Sequence, residues 1–473
     1  MLTNLYSRIK YLANYLYMKI ITDKSRAKFI ITTSVIALIL LLESPLSWNY
    51  YDVNYFVTWD YILKNYGIFH VYKYSTKVAY PPLSIFIFVS MYELALSFST
   101  VSTALPMIRL FVKIPLIASI VAIAYILYRY YGWKSTKWLY LSYGLYSTVF
   151  GYQFDLITAL GIVLTLIFIY RKKNYLLAGM SFSLSLLTKH LTIILIPLIF
   201  YDIYSNRKLR GILEFLMGLL IIGVPTTVPF LIYSFKEFIE KVLLFHSNRY
   251  PQDLSIYAIP VYYYAYVLHR INDIPSYLKW IWIPIFIAAY TITVTCILKK
   301  ARISEECGYI RYAIILLLSI LLNKIGNNPY YVWPLPLLAI IMAKYGEKKK
   351  LLKTAYIITP IISMFVYPFL TLFSAAVVNS GYFIVEDLKF YNAYMLYALS
   401  FVGSPNTFAI KFLELNREYL FSIYKLLYDN IWLVIAILTA LYLSLLAYMI
   451  RYLTTLHKST CTECCYIHKK ARV

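Results

Sequence analysis

The segment Asn49-Tyr50-Tyr51-Asp52-Val53-Asn54-Tyr55-Phe56-Val57-Thr58-Trp59-Asp60 sets two carboxylates among aromatic residues. Asp52 falls about six residues beyond an apolar run that ends near 46, which puts it at a membrane–water interface. A carboxylate there can hold a hydroxyl and take its proton as that hydroxyl attacks another group. Partial desolvation raises such a pKa toward neutrality. A solvated loop aspartate is the plain alternative. Asp60 is the rival base: in a helix it lies roughly along the same face as Asp52, so a paired-carboxylate site is open.

The cations come next. Arg109 and Lys113 begin a second apolar run. They either snorkel to the surface or meet a lipid phosphate. Gln153, Phe154 and Asp155 mark one later turn, and Lys189 with His190 marks another. A lysine among so much apolar sequence is costly unless it faces a cavity or the interface. The stretch His246-Ser247-Asn248-Arg249-Tyr250-Pro251-Gln252-Asp253 is the most polar one beside a span, and Arg249 there can clamp a phosphate bidentately. Lys324 opens the turn that runs on through Asn327-Asn328-Pro329 to Trp333-Pro334, where Asn, Gly and Pro explain the turn without any function. Tyr80-Pro81-Pro82 fixes the entry to a helix, because proline suits a first turn. Trp59, Tyr80, Pro81, Pro82, Gln153, Asp155, His190 and His246 are expected to support the site.

Cations for a phosphate, an external carboxylate and a lipid-facing cavity suit one reaction. A sugar on a polyprenyl phosphate passes to a hydroxyl, and the phosphate leaves. The leaving group needs positive side chains and the acceptor needs a base. No P-loop or dinucleotide-binding fingerprint is present.

The elements that must position these residues are membrane spans. Of 473 residues, 61% are hydrophobic and 14% charged, against about 25% charged in a soluble domain. That excludes disorder, collagen, coiled coil and an ordinary soluble enzyme. The net charge of +24 lies between apolar runs, so it indicates topology and anionic lipid rather than nucleic acid. Apolar runs give twelve spans, at 27–46, 109–128, 136–152, 155–170, 175–188, 190–204, 211–234, 279–298, 309–325, 329–344, 353–375 and 431–450. Every second connection is short and basic: Arg129 to Lys137, Arg171 to Lys173, Arg207 to Arg210, Lys299 to Arg302, and Lys348 to Lys350. The positive-inside rule then puts both termini in the cytoplasm. Counting Pro81–Tyr92 as a span would turn two of those clusters outward, so it is read as a helix on or dipping into the outer surface.

This gives an all-α polytopic membrane protein. A cytoplasmic segment 1–26 precedes one transmembrane domain, 27–450, with external loops at 47–108, 235–278 and 376–430; a basic tail, 451–473, follows. The apolar run from Lys28 to Leu42 reads as a retained span, since no small-x-small cleavage site follows it. Cys461, Cys464, Cys465 and His468 crowd the tail. Acylation or no role is expected there ahead of zinc. No metal and no cofactor is expected.

The same residues carry a resemblance. The chain resembles the lipid-phosphate-sugar-dependent glycosyltransferases of the C-type fold, GT-C, and among them the dolichyl-phosphate-glucose-dependent glucosyltransferases of N-glycan precursor assembly. Asp52 and Trp59 keep that family's early Asp-to-Trp spacing, with Val53 where the family has Tyr. Tyr80-Pro81-Pro82-Leu83 matches its Tyr-Pro-Pro-Leu, with Ala79 in place of the leading acid. Met107-Ile108-Arg109-Leu110-Phe111-Val112, Tyr152-Gln153-Phe154-Asp155 and Lys189-His190 resemble its next segments, and Tyr331-Val332-Trp333-Pro334 a late outer turn of related mannosyltransferases. The resemblance implies an external active cavity under an interfacial helix and an inverting transfer with Asp52 as base. Asp52 and Asp60 are thus the expected catalytic residues. Arg109, Lys189, Arg249 and Lys324 are the expected donor-phosphate contacts. The expected partners are a polyprenyl- or dolichyl-phosphate sugar, a lipid-linked glycan acceptor and membrane lipids, with no nucleic acid, and a monomer is expected. A transporter or flippase of lipid-linked glycan, a protein O-mannosyltransferase-like enzyme and a structural membrane subunit are the competing readings.

Overall fold

The computed structural model describes residues 24–46, 50–75, 78–244, 249–299, 303–326, 328–369 and 430–470. The side chains of 50–55, 266, 271, 328, 364–369, 431 and 461–470 lie outside that description. The described helices of seven or more residues are α1 (Lys24–Glu43), α2 (Tyr50–Tyr66), α3 (Pro82–Ser97), α4 (Ala104–Tyr131), α5 (Trp133–Tyr140), α6 (Tyr143–Phe150), α7 (Asp155–Ile167), α8 (Tyr175–Leu186), α9 (Ile196–Phe238), α10 (Trp282–Lys299), α11 (Glu305–Leu321), α12 (Leu335–Ile341), α13 (Lys350–Phe369) and α14 (Ile431–Lys470). Two-residue strands β1 (Gln252–Asp253) and β2 (Ile325–Gly326) pair in parallel, Gln252 opposite Ile325.

Five helical runs are long and apolar enough to cross a membrane: Lys24–Leu46, Ala104–Tyr131, His190–Leu244, Ser276–Lys299 and Trp432–Thr460. They hold the expected spans 27–46, 109–128, 190–204, 211–234, 279–298 and 431–450. Of the other six, five fall in shorter helices, and 353–375 is described only as far as Phe369, in α13. The run 136–152 is not one helix: it breaks at Leu141–Ser142 into α5 and α6, where Ser142 is extended at ψ 119°. Eight residues span only about 12 Å, so neither piece crosses alone. Helix α9 holds the expected span 211–234 and most of 190–204, separated by non-helical backbone at Lys208 (φ 56°, ψ −150°), within the expected basic turn. The segment 47–108, expected to be external, contains α2 and α3. Of the other expected loops, 376–430 lies outside the described residues.

Local chemistry sets the helix ends. Asn174 accepts from the Leu177 amide at 3.0 Å to cap α8, and Ser304 accepts from the Cys307 amide at 3.2 Å to cap α11. Glu305 and Glu306 follow in the first turn of α11, where the helix dipole favours negative charge. Pro82 sits in the first turn of α3, where no amide donor is missed. Helices α8 and α9 meet backbone to backbone. A methyl on Gly179 would strike the Phe215 carbonyl, and one on Gly218 the Leu176 carbonyl. Small residues at such a crossing let two membrane helices approach where no hydrophobic effect drives them together.

The basic connections gather at one end of the bundle. Lys134 pairs with Glu347 at 3.3 Å, Arg171 with Glu305 at 2.5 Å and Lys344 with Glu306 at 2.6 Å. Phe29 of α1 stacks on Tyr128 at this end, ring centroids 4.3 Å apart. Slightly deeper, Asp202 and Arg311 form a fully buried pair at 2.5 Å, with the Tyr170 and Tyr312 hydroxyls donating to the carboxylate. Helices α7 and α11 run from this end to the opposite one, where Asp155 and Lys324 lie.

Replacing Gly179 with alanine tests the α8–α9 contact. Overpacking against fixed backbone is expected to cost about 1–3 kcal/mol. Thermal unfolding in detergent should show a lowered midpoint, while Gly223→Ala, where an added methyl meets nothing within 4 Å, stays near the unmodified value.

Candidate functional site

At the end opposite the basic connections, Asp155 is the first residue of α7 and is fully buried. The α7 dipole favours its charge. The Trp333 indole donates to its Oδ1 at 2.7 Å, and Lys189 Nζ lies 3.4 Å from its Oδ2. Lys189 sits in extended backbone (φ −145°, ψ 103°) between α8 and the 3₁₀ turn His190–Leu195. Its ammonium lies over two rings, Tyr80 at 4.8 Å and Tyr330 at 5.5 Å. Tyr80 donates to Gln153 Oε1 at 3.3 Å. Four regions distant in sequence thus meet around one ammonium.

The Pro81-Pro82 turn is tied to the same place. The Leu83 amide donates to the Leu187 carbonyl at 3.2 Å and the Ser84 hydroxyl to the Thr188 carbonyl at 3.3 Å. Thr188 and Thr158 share a hydroxyl hydrogen bond of 2.9 Å, which joins that strand to α7. His190 is partly buried at the start of the 3₁₀ turn. Tyr152 adopts a left-handed backbone (φ 49°) just before Gln153.

Helix α2 docks on this site through an aromatic wall. Phe56 packs on Tyr80 at 5.3 Å, Phe154 at 5.9 Å, Tyr152 at 6.0 Å and Trp59 at 4.5 Å. Trp59 is fully buried. Asp52 occupies the first turn of α2, one turn before Phe56, and its side chain lies outside the described ones. Asp60 is further along the same helix and is bound to its neighbours. Lys64 reaches Asp60 at 2.9 Å and Glu93 of α3 at 2.8 Å. Burial, with the Glu93 carboxyl beside it, pushes Asp60 up to about 6 despite Lys64.

A second group of cations lies next to the first. Lys324 follows the end of α11, and its ammonium donates to the Arg249 carbonyl at 2.7 Å and the Lys279 carbonyl at 3.3 Å. The Trp280 and Trp282 rings face it at 6.0 and 5.8 Å. Arg249 donates to Gln252 at 2.6 Å, and Lys279 lies over the Tyr250 ring at 4.4 Å. The β1–β2 pairing clamps the two chain segments that carry Arg249 and Lys324. The segment from Lys324 to Trp333 joins both groups, with Lys324 in one and Tyr330 and Trp333 in the other.

Of the expected phosphate contacts, the structure brings Arg249 and Lys324 together and puts Lys189 beyond the shared segment. Arg109 goes elsewhere: it is buried in the second turn of α4 and donates to the Pro45 carbonyl at 3.4 Å, beside a Lys113–Glu43 pair of 3.4 Å. His246 lies outside the described residues. Sequence reasoning had read Asn323 to Pro334 as a turn with Lys324 the only contact, so it missed Trp333 and Tyr330. It missed Lys279 too. The available signal was the aromatic density of that turn, and the lysine directly before Trp280 and Trp282.

The sequence model of glycosyltransferase family 87 matches residues 79–323, more than half of the chain. The chain belongs to glycosyltransferase family 87. The matched region holds Tyr80, Pro81, Pro82, Gln153, Asp155, Lys189, Arg249 and Lys279; Asp52, Lys324 and Trp333 lie outside it. No curated protein matches the chain. Among solved structures, ArnT from Cupriavidus metallidurans bound to undecaprenyl phosphate is similar over 90% of this chain and 78% of its own, with 14% identity and a TM-score of 0.45.

Two measurements probe this family 87 site. Trp333→Phe leaves a buried carboxylate oxygen short of a donor, at an expected cost of about 1–3 kcal/mol, read as a lowered thermal midpoint. Lys324→Gln should weaken affinity for a dialkyl phosphodiester about tenfold, while Lys324→Arg, which keeps the charge, should retain it.

Proposed function

We propose that this family 87 enzyme transfers a hexose from a polyprenyl-phosphate-linked donor to a lipid-linked glycan, at the end of the bundle away from the basic connections. On the positive-inside reading that end is external and both termini are cytoplasmic. The observation that carries the proposal is the gathering of Arg249 and Lys279 on Lys324 at one end of the segment 324–333, whose other end carries Tyr330 beneath Lys189, at the end where α2 docks. A phosphate leaving from a sugar carries growing negative charge, and preorganised cations stabilise it without reorganising. The aromatic residues around them suit the interfacial depth at which a lipid phosphate lies.

Asp52 is the proposed general base. It takes the proton of the acceptor hydroxyl as that oxygen forms its bond to the anomeric carbon. The bond from that carbon to the phosphate oxygen breaks, and polyprenyl phosphate departs toward the cations. Attack opposite the leaving group inverts the anomeric centre. Support for Asp52 comes from its place one turn before Phe56, which packs on Tyr80. Asp60 is assigned to structure, since Lys64 and Glu93 engage its carboxyl. Lys189 is the proposed first phosphate contact, oriented by Asp155, which Trp333 fixes in turn. Glucose and mannose both fit this scheme.

The test is transfer from radiolabelled polyprenyl-phosphate glucose or mannose to a short lipid-linked glycan by the purified chain. Asp52→Asn should reduce turnover by about 10²–10⁴-fold, the usual worth of a positioned base. Asp60→Asn should stay within about threefold of the unmodified enzyme. Full activity in Asp52→Asn together with loss in Asp60→Asn would reverse the assignment.

A further inference from the structure

At the basic end, a cavity of about 490 Å³ opens between the connections that follow α4, α7 and α12 and the start of α11. This volume lies in the range of small-ligand sites. Two ion pairs line the cavity. Glu305 accepts from Arg171 at 2.5 Å and from the hydroxyls of Tyr131 and Tyr309 at 2.6 and 2.5 Å. Glu306 accepts from Lys344 at 2.6 Å and from the Tyr345 hydroxyl. Ile310, Ile340 and Ile341 supply apolar surface. Both carboxylates are partly exposed, at 29% and 36%, so each can still meet a ligand. None of these residues takes part in the proposed transfer. Helix α7 with its following turn carries Asp155 at one end and Arg171 at the other, roughly 24 Å apart at about 1.5 Å per residue.

The lining narrows the ligand. A simple anion would draw Arg171 and Lys344 away and leave two carboxylates unpaired. A simple cation would meet the field of Lys172, Lys173, Lys348, Lys349 and Lys350, which continue from the cavity's walls. A molecule bearing one phosphate and several hydroxyls satisfies both halves. Its phosphate takes the two cations. The carboxylate oxygens so released accept its hydroxyls, and the tyrosine rings cover its C–H face. We propose that this cavity is a second binding site, for a phosphorylated sugar or polyol at the basic end of the bundle. The ligand is either a soluble sugar phosphate or the head group of a polyol phospholipid.

The experiment uses the full chain in nanodiscs. Inositol 1-phosphate and glucose 1-phosphate are titrated as soluble probes. Retention of phosphatidylinositol against phosphatidylglycerol is read by native mass spectrometry. Binding of a soluble probe at least tenfold tighter than inorganic phosphate or free glucose is expected, and so is tenfold weakening in Lys344→Gln and in Glu306→Gln. Lys134→Gln, which breaks an ion pair that does not line the cavity, should leave binding unchanged and controls for folding and general charge. Selective retention of phosphatidylinositol, lost in the same two variants, would assign the head-group source. Inorganic phosphate binding as tightly as the sugar phosphates, binding insensitive to both variants, or no binding in either arm would overturn the proposal.

Discussion

A buried carboxylate at the head of a helix organises this molecule's candidate site. Asp155 has no access to water, so its charge survives only if protein groups replace the lost hydration. The α7 dipole, the Trp333 indole and the Lys189 ammonium do so. Each comes from a different part of the chain, and each is positioned by that need. The same logic runs outward: Lys189 lies over Tyr80 and Tyr330, and Tyr80 meets Gln153 and the aromatic wall of α2. Removing one partner would leave a charge stranded in a low-dielectric interior, which costs far more than the pair itself contributes.

The architecture separates two kinds of polar chemistry. At the basic end, ion pairs join short connections, and the charges on them satisfy the topology rule for membrane insertion. At the other end, cations stand among tryptophan and tyrosine rings, and the closest neighbours of Lys324 are carbonyl oxygens. That difference matters for binding an anion. Carbonyls hold an ammonium in a fixed orientation, so a phosphate arriving there meets donors already in position. Helices α7 and α11 connect the two ends as rigid rods.

Much of this was legible in residue type and order. Tyr80, Gln153, Asp155 and Lys189 stood out because polar groups between apolar runs must find partners, and the structure does bring them together. Arg249 and Lys324 stood out for the same reason and are neighbours. Arg109 stood out equally and belongs to the end of α1. A cation's type and place in sequence state that it needs a partner; they do not say which. Asp60 shows the limit from the other side. Its spacing from Asp52 suggested a carboxylate pair; its partners among the described side chains are Lys64, one turn on along the same helix, and Glu93, which only the docking of α3 on α2 supplies.

The sequence by itself determined the helical class, the membrane environment and the basic character of one set of connections. These follow from hydropathy and charge, which act locally and need no knowledge of neighbours. It did not determine the number of spans. Leu141–Ser142 breaks a run that hydropathy alone reads as one span, because backbone hydrogen bonds lost at a break are recovered only within the packed bundle. Nor did it single out Trp333, Tyr330 or Lys279. An indole becomes a site residue by lying 2.7 Å from a buried carboxylate 178 positions away. Only the tertiary structure decides a proximity of that kind, since it depends on how whole helices pack rather than on any local property of the chain.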